Sequence, residues 1–348
     1  MPFETSELPG GRPCVSADYF TGLTDQGPVC EASDTDVQGE PRGAPTSLCM
    51  RPPGADAFVV GGNSFAPFLS SVQDLPLLER LECLSRRFLG IRYEPDPLGE
   101  GNGAGIDDDP TYRFDAIDCM TFVEEVVALS FSGDAGEFTD TLGCIRYRDC
   151  VHTYAMRNHH VEDWVRENSA RNYIRDITGE VGGSLVKRAV VEIDFMRWIE
   201  AKPDMLPHHK DEIRTERMAR DLKDPTPVEI SFVPLRDILV VRDGTVSMDG
   251  GVSSRIPAFS IMLLIGKAED EFKFGTRVRH MGIVLAGGLA GFEEPTLRHC
   301  TPKEGCADRP LIPYLFSQME NREGVAFLEV LDKHGKARVG SPGDGAGR

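Results

Sequence analysis

The stretch Ile117-Asp118-Cys119-Met120-Thr121-Phe122-Val123-Glu124-Glu125-Val126-Val127-Ala128-Leu129 decides how the rest of the chain is read. Asp118 stands where an N-cap belongs. Phe122, Val123, Val126, Val127 and Leu129 follow as a broad apolar stripe, so the run predicts a helix packed on a core. Cys119 then falls in the first turn. Unpaired backbone N–H groups and the positive end of the helix dipole favour a thiolate there, and the same N–H groups can hold an oxyanion. A buried, inert cysteine fits this local sequence equally well.

Upstream, Leu75, Leu77, Leu78, Leu81, Leu84 and Phe88 recur mostly every three or four residues between Asp74 and Leu89. This predicts a second amphipathic helix and the beginning of folded structure. Further helices are expected over Val161 to Asn168 and over Ile213 to Leu222, the latter highly charged and therefore at the surface. The second half of the chain changes character. Val228 to Val233, Ile238 to Arg242, Phe259 to Ile265, Arg277 to Ala286 and Gly324 to Leu331 read as strands between turn residues. Helices followed by strands predict an α+β fold, with N-terminal helices packed on an antiparallel sheet. Residues 1–57 are rich in Gly, Pro, Asp, Ser and Thr without any period and read as a disordered leader, and 333–348 as a flexible tail. The domain expected between them covers 58–332, with a helical insertion around 145–225.

A thiol nucleophile needs a base within hydrogen-bond reach and a polar group that orients the base. In Arg279-His280-Met281-Gly282-Ile283-Val284-Leu285, strand alternation puts His280, Gly282 and Val284 on one face and Met281, Ile283 and Leu285 on the other. Gly282 is expected to leave room for a facing helix. Gly287 and Gly288 open a turn, and Leu297-Arg298-His299-Cys300 returns with His299 level with His280, where antiparallel neighbours hydrogen-bond. Each histidine taken singly also fits an ordinary core or surface position.

Acidic residues outnumber basic ones 56 to 38, a net charge of −18. That balance repels phosphate backbones and anionic headgroups, so nucleic acid and membrane surfaces are not expected partners. The longest apolar run, Ile256 to Ile265, is too short to span a bilayer. Met1 to Gly11 carry two glutamates and neither a basic cluster nor an apolar stretch, so no secretory signal peptide is expected. Nine cysteines are many for a reducing compartment, and the odd total fits eight paired and one free nucleophile. Cys144 with Cys150, or Cys300 with Cys306, could close short loops.

Together, Asp118-Cys119-x-Thr121-Phe122, His280-x-Gly282-Ile283 and His299 resemble the NlpC-type papain-like cell-wall cysteine peptidases, and more closely their N-acetylmuramoyl-L-alanine amidase-like branch. The likeness extends through Ile145-Arg146-Tyr147-Arg148, Arg157-Asn158-His159-His160 followed by Trp164, and Pro310-Leu311-Ile312-Pro313-Tyr314-Leu315. It runs from about Leu75 to Leu331. The resemblance implies a papain-like fold without metal or cofactor, a thioester intermediate, Cys119 as nucleophile, His280 as base and later acid, and His299 as the group orienting His280. It implies that Tyr93 helps stabilise the oxyanion, with Tyr112 as the substitute because the gap from Tyr93 to Cys119 is longer than the usual pattern. Arg157, Asn158, His159 and Trp164 fall in a segment that resembles the substrate-side insertion, where an arginine and an aromatic suit a sugar bearing a carboxyl or lactyl group; core packing is the other reading of Trp164. Asp118 is an N-cap first and a contact for a substrate amine second. Cys300-Thr301 stands where family members commonly show Ala-Ser, which implies a different local pocket.

The implied substrate is peptidoglycan or a released muropeptide, cut between the lactyl group of N-acetylmuramic acid and L-alanine. The alternative cut lies in the stem peptide, between D-glutamate and the diamino acid. The resemblance implies export, as the family is mostly exported, whereas Met1 to Gly11 do not read as a signal peptide. An inactive wall-binding module on the same fold is the reading from another class, and intact Cys119, His280 and His299 argue against it. The rival enzyme is a zinc amidase built on His159, His160, His208 and His209, but the chain has no HExxH and adjacent histidines point their rings apart.

Overall fold

The computed structural model describes residues 65–248, 251–285 and 294–332. The expected leader 1–57, the tail 333–348 and the turn at Gly287 and Gly288 lie outside these residues. The described chain begins with α1 (Phe65–Val72) and α2 (Leu77–Arg86), followed by short strands β1 (Arg92–Tyr93) and β2 (Ala116–Ile117). Helices α3 (Cys119–Ser130), α4 (Ala135–Arg146) and α5 (Val161–Ala170) come next. A mixed segment then carries β3 (Ile174–Asp176), α6 (Thr178–Gly182), β4 (Lys187–Ile193), α7 (Phe195–Glu200) and α8 (Pro207–Ala219). It leads to β5 (Thr226–Pro234), α9 (Leu235–Ile238), β6 (Leu239–Arg242), β7 (Thr245–Met248) and α10 (Val252–Arg255). The remainder is β8 (Phe259–Gly266), α11 (Ala268–Phe274), β9 (Val278–Leu285), β10 (Thr296–Thr301), β11 (Gly305–Pro310), α12 (Leu311–Gln318) and β12 (Arg322–Val330).

Among the described residues, one eight-stranded sheet is ordered β11-β10-β9-β8-β12-β5-β4 with β3 on β12, and its pairings are antiparallel. Its central strands β8 and β9 are buried on both faces. On one face Met281, Ile283 and Leu285 join Phe122, Val126 and the rest of α3 in a single core. On the other, Met262, Leu264, Val284 and Leu297 pack with Leu311 and Leu315 of α12. Alternation along β9 is what divides the two cores.

Helix α3 is buried all round, with only Met120 half-exposed, where the sequence predicts a helix with one inward stripe. Phe122, Val123, Val126, Val127 and Leu129 each contribute about 1.5–3 kcal/mol through burial. The cost falls on Glu124, which is buried with them. Arg146 of α4, equally buried, donates from Nε to Glu124 Oε2 at 2.9 Å and offsets that cost.

Several elements escape the sequence pattern. α1 precedes the expected start at Asp74, and its Phe65 packs edge-on against Tyr112, Phe114 and Phe138 with centroids 5.2–6.1 Å apart. The insertion around 145–225 is not wholly helical: β3 and β4 join the sheet, β4 pairing with β5 from Lys187–Phe232 to Ile193–Thr226. β4 is an edge strand in which only Val191 and Ile193 are buried, too short an alternation to read. β11, Gly-Cys-Ala-Asp-Arg-Pro, has no strand pattern and is held by its register with β10. The cysteine count also resolves differently. Cys144 and Cys150 form a disulfide, but Cys300 and Cys306 face each other across β10 and β11 as free buried thiols, so eight paired cysteines is not the arrangement. In an apolar core they act as small hydrophobic residues. No helix of the described residues is long and apolar enough to cross a membrane.

Candidate active site

Asp118 has extended backbone and ends the two-residue strand β2, so the chain must turn into α3 at that point. Its Oδ1 accepts the N–H groups of Met120 at 2.9 Å and Thr121 at 2.7 Å, and its own N–H donates to Thr121 Oγ1 at 2.9 Å. This reciprocal cap fixes Cys119 as the first helical residue. Burial pushes the thiol pKa up to about 12, and the Asp118 charge adds to the rise. Backbone N–H groups of Met281, Cys119 and Met120 act in the opposite sense and do not win. The dipole argument alone predicts a thiolate; desolvation of a nearly buried sulfur outweighs it, leaving a neutral thiol that needs a base.

Strand β9 supplies the imidazoles. Its ladder with β10 runs Thr296–Leu285, Leu297–Val284 and Arg298–Ile283 and ends there. On the β8 side the register shifts between Leu264–His280 and Ile265–Val278, so Arg279 is the extra residue of a bulge. Cys119 therefore meets β9 where its ladder with β10 has ended, at the amide of Met281, the neighbour of His280. His280 and His299 share a hydrogen bond, Nε2 to Nδ1 at 2.8 Å. Tyr314 of α12 stands edge-on to His299, centroids 4.8 Å apart. Gly282 makes room for β10 rather than for a facing helix, because a Cβ there would stand 2.9 Å from His299 Cβ and 2.9 Å from Arg298 O.

Both histidines are buried and neutral. Burial drives His280 well below its ordinary pKa, helped by His299 and by the Arg322 charge. His299 falls to about 3 through burial and the Arg309 charge. Among the described residues no hydrogen bond reaches His280 Nδ1, and none joins either imidazole to Cys119. Two buried anchors fix the strands that carry them. Arg298, fully buried, donates to Asp308 at 2.8 and 2.9 Å, to Glu82 at 3.2 Å and to Ser85 at 2.8 Å, locking β10 onto β11 and α2. Glu162 of α5 accepts the N–H groups of Arg277 at 2.8 Å and Val278 at 3.0 Å, which pins the start of β9.

The other expected site residues divide. Tyr93 is the register partner of Ile117 in the parallel β1–β2 pair, and so lies beside Asp118 and Cys119. Burial, then the Cys119 and Asp118 charges, push its phenol up, which keeps it a proton donor. Tyr112 belongs instead to the aromatic cluster of Phe65, Phe114 and Phe138. Arg157 is buried and committed to the protein: it donates to Glu100 at 2.8 Å, Asp107 at 2.8 Å and Leu98 O at 2.9 Å. Asn158 is buried, with its N–H on Arg146 O at 2.9 Å. His159 bonds Tyr154 O through Nε2 at 2.9 Å and packs among Tyr154, Phe195 and Trp198. Trp164 is completely buried in the core beneath α3. Arg157, Asn158 and Trp164 are thus buried and His159 is half-buried.

The histidines of the zinc alternative are dispersed. His160 is buried against Phe195 and Trp198, whereas His208 and His209 stand together at the start of α8. Among the described residues no three His, Cys, Asp or Glu side chains converge on a point that could hold a metal ion. What sequence reading missed is Arg279, Arg322 and Tyr314. Tyr314 lies inside Pro310-Leu311-Ile312-Pro313-Tyr314-Leu315 and Arg279 is next to His280, but Arg322 comes from β12 and nothing local marks it.

Helices packed on an antiparallel sheet place the chain in the mixed α/β class. Within it, the chain belongs to the AmiA-like family, described as N-acetylmuramoyl-L-alanine amidase-like, whose model matches residues 83–320. A crystal structure of a Legionella pneumophila protein of the DUF1460 family superposes with a TM-score of 0.67 at 22% identity, over 78% of this chain and 94% of that one. An N-acetylmuramoyl-L-alanine amidase from Bacteroides uniformis gives 0.54 at 19% identity, over 72% of this chain and 99% of that one. At such identities the likeness is one of fold. No curated protein sequence matches.

Proposed function

We propose that the chain is a cysteine amidase with an NlpC-type, papain-like fold that hydrolyses the amide between the lactyl group of N-acetylmuramic acid and L-alanine, in peptidoglycan or released muropeptides. The observation that carries this reading is the 2.8 Å hydrogen bond between His280 Nε2 and His299 Nδ1, on a strand whose Met281 amide meets Cys119. With His280 Nε2–H donating to His299, the Nδ1 lone pair is left to take the thiol proton. The thiolate then attacks the lactyl carbonyl carbon, and the oxyanion takes hydrogen bonds from the start of α3 and from the Tyr93 hydroxyl. The tetrahedral intermediate collapses to a thioester as His280 passes its proton to the departing alanine nitrogen. Water, deprotonated by His280, hydrolyses the thioester and returns the thiol. A neutral His280 suits this cycle because it starts from a neutral thiol.

Mass spectrometry of the products from one defined N-acetylmuramoyl peptide tests the bond assignment: free N-acetylmuramic acid and an intact peptide are expected. Cys119→Ala should abolish turnover with the fold kept, alkylation should do the same, and a chelator should have no effect. Turnover retained in Cys119→Ala, or activity lost to a chelator and restored by zinc, would overturn the cysteine mechanism.

A further inference from the structure

The substrate side of the site cannot rest on Arg157, whose donors are already taken, so the cations nearest the chemistry are the ones to weigh. Arg322 opens β12 directly opposite Gly266, the last residue of β8. A Cβ on Gly266 would meet Asp270 Oδ2 at 2.3 Å and Arg279 Cγ at 2.8 Å, so the glycine lets both side chains cross this strand end. The bulge at Arg279 brings the same corner next to His280. Arg322, Arg279, Asp270 and His280 thus share one end of the β9-β8-β12 ribbon.

The charges at this corner do not balance around Arg322. It has no ion pair within 4.0 Å among the described residues, and its Nε is buried without a hydrogen-bond partner. Among the described residues its one hydrogen bond runs from Nη1 to Asn321 O at 3.1 Å. Asp270, the carboxylate in its field, also serves Arg279 and accepts the N–H of Lys267 at 3.0 Å. A half-buried guanidinium with unused donors, beside the proposed base, is built to take a planar anion in a forked contact.

We propose that Arg322 is a specificity-determining residue that binds a carboxylate of the peptide part of the substrate, with Arg279 supplying a second positive charge behind it. The inference rests on the amidase reading for the identity of that peptide. A carboxylate held here is anchored beside His280, which sets the direction in which the scissile amide lies across Cys119.

The test compares an N-acetylmuramoyl peptide bearing free carboxylates with the same peptide amidated. In the parent enzyme amidation should raise KM about ten-fold, the loss of one charge-assisted hydrogen bond, and leave kcat nearly unchanged. Arg322→Gln should raise KM for the free-acid substrate by the same factor and erase the discrimination, and Arg322→Lys should restore part of it. An unchanged ratio in Arg322→Gln overturns the proposal. Calorimetric titration of the Cys119→Ala protein with the free and amidated peptides gives the answer without turnover. Binding weakened about ten-fold by amidation, and no longer sensitive to it in the Cys119→Ala, Arg322→Gln double variant, supports the site. Equal binding of the two peptides, or none of either, overturns it. A wrong bond assignment would show in the products and leave these binding ratios untouched.

Discussion

At Cys119 two physical effects compete, and the sequence displays only one of them. A helix start favours a thiolate, but the sulfur is 4% exposed and next to a buried carboxylate, so desolvation decides. Asp118→Asn keeps the cap, because asparagine accepts the same N–H groups, and removes the charge. It should raise the rate of iodoacetamide alkylation of Cys119 about three- to ten-fold at constant pH, with an unchanged denaturation midpoint. A slower rate would mean that Asp118 does not oppose the thiolate. For His280 the sign is also fixed. Its pKa is lowered, so it stays neutral and able to accept a proton as pH falls through its ordinary value. The acid limb of kcat/KM should therefore lie below pH ~6.5. His280→Ala should lose on the order of 10²–10⁴-fold in rate. His299→Ala should be intermediate, and His299→Asn should keep part of the activity, since orientation needs an acceptor at Nδ1 rather than a charge. A parental rate in His299→Ala would show that another group holds His280.

At the scale of elements, α3 was the most legible part of the chain and also the one most altered by its neighbours. Its cap, its start at Cys119 and its apolar residues follow from local rules, whereas its complete burial does not. Once sheet, α4 and α2 enclose it, Glu124 must find a cation, and Arg146 is there. Arg146→Ala would leave a carboxylate buried and unpaired, so we expect a loss of roughly 3–5 kcal/mol in urea unfolding. A loss under about 1 kcal/mol would mean that Glu124 is protonated or solvated instead. Part of the motif Ile145-Arg146-Tyr147-Arg148 thus supports α3 through the Arg146–Glu124 pair. Strand β9 shows the converse. Its alternation predicts two faces correctly, but the bulge at Arg279 and the parting from β10 beyond Arg298–Ile283 belong to the pairing and have no sequence period of their own.

On the whole-molecule scale, Arg157 separates the two kinds of inference most clearly. An arginine followed by buried aromatics reads as a sugar-carboxylate contact, yet here it ties residues 96–107 to the segment that carries α5. Arg157→Ala should lower stability by roughly 3–5 kcal/mol, leaving Glu100 buried without its cation, while KM of the folded fraction stays within about two-fold. A large rise in KM at unchanged stability would restore the substrate role. By itself the sequence determined the main order of helices and strands, the capped position of Cys119 and the two histidines on neighbouring strands. Each of these depends on periodicity or capping, which are properties of neighbours along the chain. Only the tertiary structure decided that Cys300 and Cys306 are free, that Arg157 and Trp164 are buried, that β11 and β4 are strands, and that Arg322 stands by His280. Those depend on which groups are desolvated together, and desolvation is set by residues that meet across the sheet from as far apart in the chain as Glu82 and Arg298.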